Sequence, residues 1–386
     1  MELKDKNVLV VGFERTGEAL CRFLLGRGAR VRVTEKKPAE AFGVKIRAWT
    51  ERGVLFETGG HRPESFMAAD LIVPSPGVPP IAEIQAARAK GVPVISEIEL
   101  AYLFLRGRIV GITGSNGKST TTTLVHKILK EAGLRSRLAG NIGTPLISFA
   151  DASRDADLYV TEISSFQLEY ADSFTPAVSA VLNVSENHID WHATFANYFA
   201  AKKKLVLRQG PEAKAVLNRD DALVWGLAAE AAAEVHGFSR KRRLRRGVCV
   251  EDGWVVVRDG EAEKVMPVGR VPLPGAHNLE NVLAAAAIAR LLGVPAPSIR
   301  RSVQSFRGLE HRLEDVLRVR GVRFVNDSKA TTVDATLKAL ASFDRPVVLI
   351  LGGRGKGGDF SPLRAAVRKS VRSVVLVGEA ADEIGQ

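Results

Sequence analysis

Residues 108–133 read "RIVGITGSNGKSTTTTLVHKILKEAG". An apolar, β-branched run from Arg108 to Thr113 predicts a buried strand. A glycine-rich turn follows. A helix then opens at Lys118-Ser119, with Leu124, Val125, Ile128 and Leu129 on one face and Gly133 as its stop. Strand, glycine turn and helix in that order make a phosphate cradle, because backbone N–H groups of the turn and the helix N-terminus converge on one anion-sized spot. A strict P-loop would need glycine at 112, where this chain has Ile112. The first glycine therefore falls at Gly111 or Gly114, and Gly117-Lys118-Ser119 is intact. Lys118 supplies a point charge for the β- and γ-phosphates, and Ser119 or Thr120 can hold Mg²⁺.

Outward from that stretch the pattern is β then α, repeated. "NVLVVG" (7–12) is a buried strand, "TGEALCRFLLGRG" a helix and "ARVRVTE" a second strand, a Rossmann-like opening. Its "GFERTG" (12–17) lacks the middle glycine of the dinucleotide fingerprint, so NAD is not inferred. "ADLYVTEIS" and "AVSAVLNVS" are further strands after the cradle. "GWVVVRDGE" alternates and carries an Asp259-Gly260 turn, which predicts an antiparallel excursion near 247–266. From about Leu309 a third unit opens with the strands "GVRFVNDS", "PVVLILGG" and "SVVLVGEA". We therefore expect an α/β fold of three domains. Residues 1–96 are Rossmann-like, 97–308 form a central P-loop ATPase-type domain on a mostly parallel sheet, and 309–386 are a further Rossmann-like domain. The chain stops at Gln386, three strands into that last sheet, so this domain is expected to be incomplete.

The 386 residues are too many for one core. No apolar run has membrane-spanning length, and the polar start excludes a signal peptide. Cys21 and Cys249 fit no metal spacing and read as reduced cytoplasmic thiols. The net charge of +12 fits polyanionic partners. The densest basic run, Arg240 to Arg246, has no interleaved aromatic residue. It reads as a solvated hairpin loop rather than a nucleic-acid patch, so no nucleic-acid partner is expected.

Other strand ends carry chemistry-bearing residues. Glu162 closes "DLYVTE", at the sheet edge where open α/β sheets bind ligands and where a carboxylate can hold Mg²⁺. "NVSENHIDWH" sets His188 past another strand end, while His192 reads as a structural histidine. Lys202, Lys203 and Lys204 form a run that reads as a solvated helix face. "DSKATT" (327–332) and "GGRGKGGDF" (352–360) are polar loops with Lys329 and Lys356, candidate cations over phosphates.

"GSNGKST", "TEISSFQLE", "NVSENHID", "YFAAK", "HNLEN", "HRLE", "NDSKATT" and "GGRGKGGDFSPL" occur in this order over most of the chain. Together they resemble the Mur ligases, ATP-dependent amide-forming enzymes of peptidoglycan synthesis. "TEISSFQLE" and "NDSKATT" look most like the branch that joins D-glutamate to UDP-N-acetylmuramoyl-L-alanine. In that family the loop reads G-[ST]-x-G-K-[ST], which Gly114, Ser115, Asn116, Gly117, Lys118 and Ser119 fit.

The resemblance implies ATP and two Mg²⁺ ions, with Ser119, Glu162 and His188 as metal-holding residues. Lys202 matches a lysine that the family carbamylates into a further metal ligand. Asn278, Asn281, Arg312 and Asp327 match nucleotide positions. Lys329, Thr331 and Lys356 match the face that closes on the reacting groups. Gly12, Thr16, Gly17, Glu35, Ser75, Pro76 and Gly77 match loops that seat the UDP moiety. Asn141, Ser164 and Gln167 match contacts to the sugar and diphosphate, with His188 beside them. A cytoplasmic monomer is expected. Three departures stand out: Thr34-Glu35-Lys36 replaces the family's acidic-Thr-Arg segment, Glu310 stands where proline is usual, and a serine- and phenylalanine-bearing loop that helps bind D-glutamate has no counterpart. Competing readings are a sister amino-acid ligase, a nucleic-acid-binding P-loop ATPase, and a nucleotide-binding fragment without ligase activity.

Overall fold

The computed structural model describes residues 1–354 and 359–385. Lys356, in the candidate closing loop, lies outside the described residues. The first sheet is built from β1 (Asn7–Val11), β2 (Arg30–Glu35), β3 (Leu55–Thr58) and β4 (Leu71–Pro74). All pair in parallel, in the order β3-β2-β1-β4. Strand β1 is a near-continuous apolar run because the sheet is covered on both faces. Helix Arg15–Gly26 packs Leu20, Cys21, Phe23 and Leu24 against it.

The second sheet has nine strands. They are β5 (Arg108–Thr113), β6 (Ser136–Gly140), β7 (Leu158–Glu162), β8 (Val178–Val181), β9 (Lys214–Asn218), β10 (Glu234–Ser239), β11 (Arg246–Glu251), β12 (Trp254–Asp259) and β13 (Glu261–Pro267). Their order is β13-β12-β11-β10-β9-β8-β5-β7-β6. Pairing is parallel from β6 to β11 and antiparallel across β11, β12 and β13, the expected excursion. Chain connections leave β5 toward β6 and leave β8 toward β9. Adjacent strands with opposite exits open a crevice at their C-terminal ends, the usual ligand position in such sheets. Helices Lys118–Glu131 and Ala276–Leu291 pack together over one face, with Leu124, Val125, Ile128 and Leu129 fully buried.

Two local expectations change. The basic run is not a hairpin loop, because β10 and β11 pair in parallel. The return is bent tightly by Asp220, whose carboxylate accepts the N–H of Arg240 and Lys241, and by the Ser239 hydroxyl, which accepts those of Lys241 and Arg242. In the third unit, "GVRFVN" forms β15 (Val322–Asn326), which pairs antiparallel with an unforeseen β14 (Glu314–Val319). Strands β16 (Val347–Gly352) and β17 (Val371–Val377) form a separate parallel pair. Phe324, Val348 and Ile350 on these ladders stay half or more exposed, at 50%, 62% and 70%.

Candidate active site

The cradle sits on the β5–β8 crevice. Ile112 belongs to β5, fully buried and in register with Glu162 and Ala180 on its two neighbours. Bulk is needed there, and the turn proper begins at Gly114. Gly117 ends the turn in the left-handed region at φ 82°, and a Cβ on it would stand 2.2 Å from Asn281 Oδ1. The N–H groups of Lys118, Ser119 and Thr120 open the helix without intrahelical acceptors, and Thr121 N makes the first helical bond, to Gly117 O. Asn183, beyond β8, holds the turn in shape. Its carbonyl accepts from Ser115 N at 2.9 Å, and its Oδ1 accepts from Asn116 N at 2.8 Å. The Ser115 hydroxyl bridges Ser185 and Tyr198.

Three charged residues meet below the turn. Glu162, at the end of β7, is 2% exposed. Its Oε1 accepts from Asn141 Nδ2 at 2.8 Å, and its Oε2 is buried with no hydrogen-bond partner. An orphaned buried carboxylate oxygen is an incomplete arrangement that a cation would complete. Lys118 Nζ folds back onto the carbonyls of Gly114 and Ser115 at 2.9 and 3.0 Å. Burial lowers its pKa, against the pull of Glu162. Lys202 is 1% exposed, donates to Gly114 O at 3.0 Å and lies over the Tyr198 ring. Burial, helped by the Lys118 charge, depresses its pKa strongly. The other lysines of the run turn elsewhere, Lys203 to Glu230 and Lys204 to the carbonyls of Leu168 and Glu169. His188 is exposed, with its ring 4.7 Å from that of Phe166, while His192 is buried and bonded to Ser165. Among the described residues no three His, Cys, Asp or Glu side chains converge as a metal-binding group.

A cavity of about 520 Å³ adjoins the turn. Asn116, Asn278, Asn281, Arg312, Asp327 and Lys338 are among its lining residues. Asn281 Nδ2 donates to Asn278 Oδ1, and Asn281 Oδ1 accepts from Thr121. Arg312 reaches Ser119 Oγ at 3.3 Å and leaves a buried Nε without a partner. Burial raises the Asp327 pKa, although its Oδ1 accepts from Leu313 N. Lys329 and Thr331 are exposed on the turn after β15. Sequence reasoning missed Asn183, Tyr198, Asp334 and Lys338. Asn183 opens "NVSENHID" and Tyr198 opens "YFAAK", but their contacts to the cradle, like that of the Asp334–Lys338 pair, form only in the tertiary structure.

The first sheet brings a second group together. Glu35 is buried, and its two oxygens accept from Phe13 N and Lys37 N. Ser75 Oγ donates to Gly12 O, and a Cβ on Gly17 would stand 2.3 Å from that same carbonyl. The loops 12–17 and 75–77 are thereby locked together beside Thr16, Pro76 and Gly77. Ser164 and Gln167 bond to each other as a helix-capping box.

Known proteins resemble this chain throughout. The Mur ligase middle domain matches residues 112–289, and the Mur ligase MurD-like N-terminal domain matches residues 6–96. The UDP-N-acetylmuramoylalanine–D-glutamate ligase of Acidobacterium capsulatum is 46% identical over 388 residues, covering 100% of this chain and 84% of the relative. The chain belongs to the Mur ligase family. A second relative of this Mur ligase, named for the same activity, comes from Pelotomaculum thermopropionicum and is 43% identical, covering 100% of this chain and 86% of that one. Among solved structures, UDP-N-acetylmuramate-alanine ligase MurC of Thermotoga maritima aligns with a TM-score of 0.59 at 18% identity, over 98% of this chain and 87% of that one. MurF of Acinetobacter baumannii aligns at 0.58 and 16% identity, over 100% and 80%. At those identities the likeness is one of fold, and the shared fold is the three-part α/β architecture of Mur ligases. An ATP-dependent amide-bond-forming enzyme is the class to which this chain belongs.

Proposed function

We propose that this Mur ligase joins D-glutamate to UDP-N-acetylmuramoyl-L-alanine in peptidoglycan biosynthesis, at the expense of ATP. The substrates follow from relatives 42–46% identical over essentially the whole chain. The observation that carries the chemistry is the meeting of Glu162, Lys118 and Lys202 under the phosphate turn. A carboxylate resists attack by an amine until one oxygen becomes a leaving group. In the first step a substrate carboxylate oxygen takes the γ-phosphoryl group, and ADP departs. In the second, the amine nitrogen bonds to the carbonyl carbon, the carbon–oxygen bond to phosphate breaks, and the amine loses a proton. The turn's N–H groups and Lys118 hold the transferring phosphoryl group and stabilise its charge. The orphaned Glu162 oxygen fits Mg²⁺, with Ser119 and His188 as further holders; when bound, Mg²⁺ neutralises phosphate charge. We assign Lys202 as the carbamylated residue. Burial that depresses the Lys202 pKa favours the neutral amine, the form that adds to CO₂.

On this reading Asn278, Asn281, Arg312 and Asp327 bind the nucleotide in the adjoining cavity. The loops 12–17 and 75–77, with Asn141, seat the UDP-sugar, while Lys329 and Thr331 approach from the third domain; Lys356 is assigned to the same role from the sequence alone. Residues 1–96, 97–308 and 309–386 divide accordingly into UDP-substrate, ATP and closing domains, working in a cytoplasmic monomer. Among the described residues no helix is long and apolar enough to cross a membrane. The test is phosphate release from MgATP with UDP-N-acetylmuramoyl-L-alanine, with and without D-glutamate. Turnover requiring both is the expected result. Release that ignores the UDP-sugar, or that answers a different amino acid better, would overturn the reading.

A further inference from the structure

Asn116 is held from two sides. Its backbone N–H and carbonyl are both taken by the Asn183 side chain, at 2.8 and 3.1 Å. Its own side chain points the other way, into the third unit, where Nδ2 donates to Asp334 Oδ2 at 2.7 Å. The same carboxylate oxygen accepts from Lys338 Nζ at 2.8 Å. Asp334 stands in the first turn of helix Val333–Leu340, whose N-cap Thr332 accepts from Ala335 N. Thr332 is also the last residue of "DSKATT". The turn carrying Lys329 and Thr331 thus runs directly into a helix whose first turn is bonded to the phosphate loop.

We propose that Asp334 is a positioning residue for the ligase reaction. Through Asn116 it couples the phosphate loop to the "DSKATT" turn, so that nucleotide loading and the seating of Lys329 and Thr331 are linked. The proposal rests on the nucleotide reading above. The charges suit it. A bare carboxylate this near a triphosphate site would repel the nucleotide, and Lys338 neutralises it while leaving it an acceptor for Asn116. A hydrogen bond to a charged acceptor is also the stronger kind, suited to holding two units in one register.

The experiment is a double-mutant cycle of Asn116→Ala and Asp334→Ala on the full chain, with Asp334→Asn as the conservative variant. Steady-state kinetics, affinity for a fluorescent ATP analogue and melting temperature are read for each. Asp334→Ala is expected to lower kcat by about ten- to a hundredfold with the KM for the UDP-sugar unchanged. In the Asn116→Ala background the same substitution should change kcat less than about twofold. Asp334→Asn, which still offers an oxygen to Asn116, should recover most of the rate. Additive effects in the cycle, or a fall in melting temperature with kcat intact, would overturn the proposal. If the wild type binds the analogue but does not turn over, the assigned reaction has failed, and the coupling is read from analogue affinity with the same criteria. Should the wild type bind no nucleotide, the shared premise and this proposal fall together.

Discussion

Lys202 stands in a run of three lysines, and nothing in the run distinguishes it. On a helix such a run reads as a solvated face, whereas Lys203 is half-buried and paired to Glu230. Burial of one amine under the phosphate turn depends on how helix Phe195–Leu207 lies against β5, which is a tertiary fact. Residue type was legible, position was not, and only the family resemblance singled out Lys202. Its depressed pKa makes a chemical prediction. Lys202→Ala should reduce kcat by at least about a hundredfold, and short carboxylates such as acetate should partly restore it by standing in for the carbamate. Rates measured against acetate concentration decide the matter, and an unaffected variant would remove the carbamate from the account. Lys118→Ala belongs at the same scale. Its Nζ lies against the turn's own carbonyls, so ATP turnover should fall by a similar factor, and normal turnover would move the phosphate site elsewhere.

Strand, turn and helix around Gly117 were readable because their signals are local: a β-branched run, two glycines and a 3.6-residue apolar period. Non-local pairings were not readable. Asn183 lies 67 residues from Asn116, β14 has no strong alternation, and the basic run's return depends on Asp220. Gly117 allows a test of whether the turn's shape serves ligand binding. At φ 82° any side chain is strained, and a methyl group would also collide with Asn281. Gly117→Ala should therefore cost about 1–3 kcal/mol and weaken ATP-analogue binding. Gly133 provides the control, since it has φ 83° and a methyl group added there would meet no atom within 4 Å. Gly133→Ala should lose about 1 kcal/mol with analogue binding unchanged. Equal effects on binding from both variants would mean that backbone strain alone, and not the Asn281 contact, shapes the site.

The first two units are not independent bodies joined by a tether. Leu20, Phe23 and Leu24 of the first share one apolar cluster with Ile98, Leu146, Ile147 and Phe174. The sequence placed a boundary near residue 96 but could not reveal this shared core, because each half of the cluster looks like an ordinary amphipathic element. Glu97 is buried in the seam, 1% exposed, with Oε1 accepting from Ile147 N at 2.7 Å. Burial pushes its pKa up from 4.5 to about 7, against its backbone hydrogen bonds and the Arg15 charge. A carboxyl raised in the folded state binds its proton more tightly there than in the unfolded chain. Stability contributed by Glu97 should therefore fall as pH rises from about 4.5 to about 7, by at most about 3 kcal/mol, and stay level above that. His126, His236 and His277 act in the opposite sense, since burial lowers each pKa and makes the folded state disfavour their protonation as pH falls. Comparing wild type with Glu97→Gln separates the two. The amide keeps an oxygen for Ile147 N and cannot ionise, so the variant should melt above wild type at pH 8 and near it at pH 5. A difference that does not change between those pH values would mean that Glu97 keeps an ordinary pKa, and that the seam between the two units tolerates its charge.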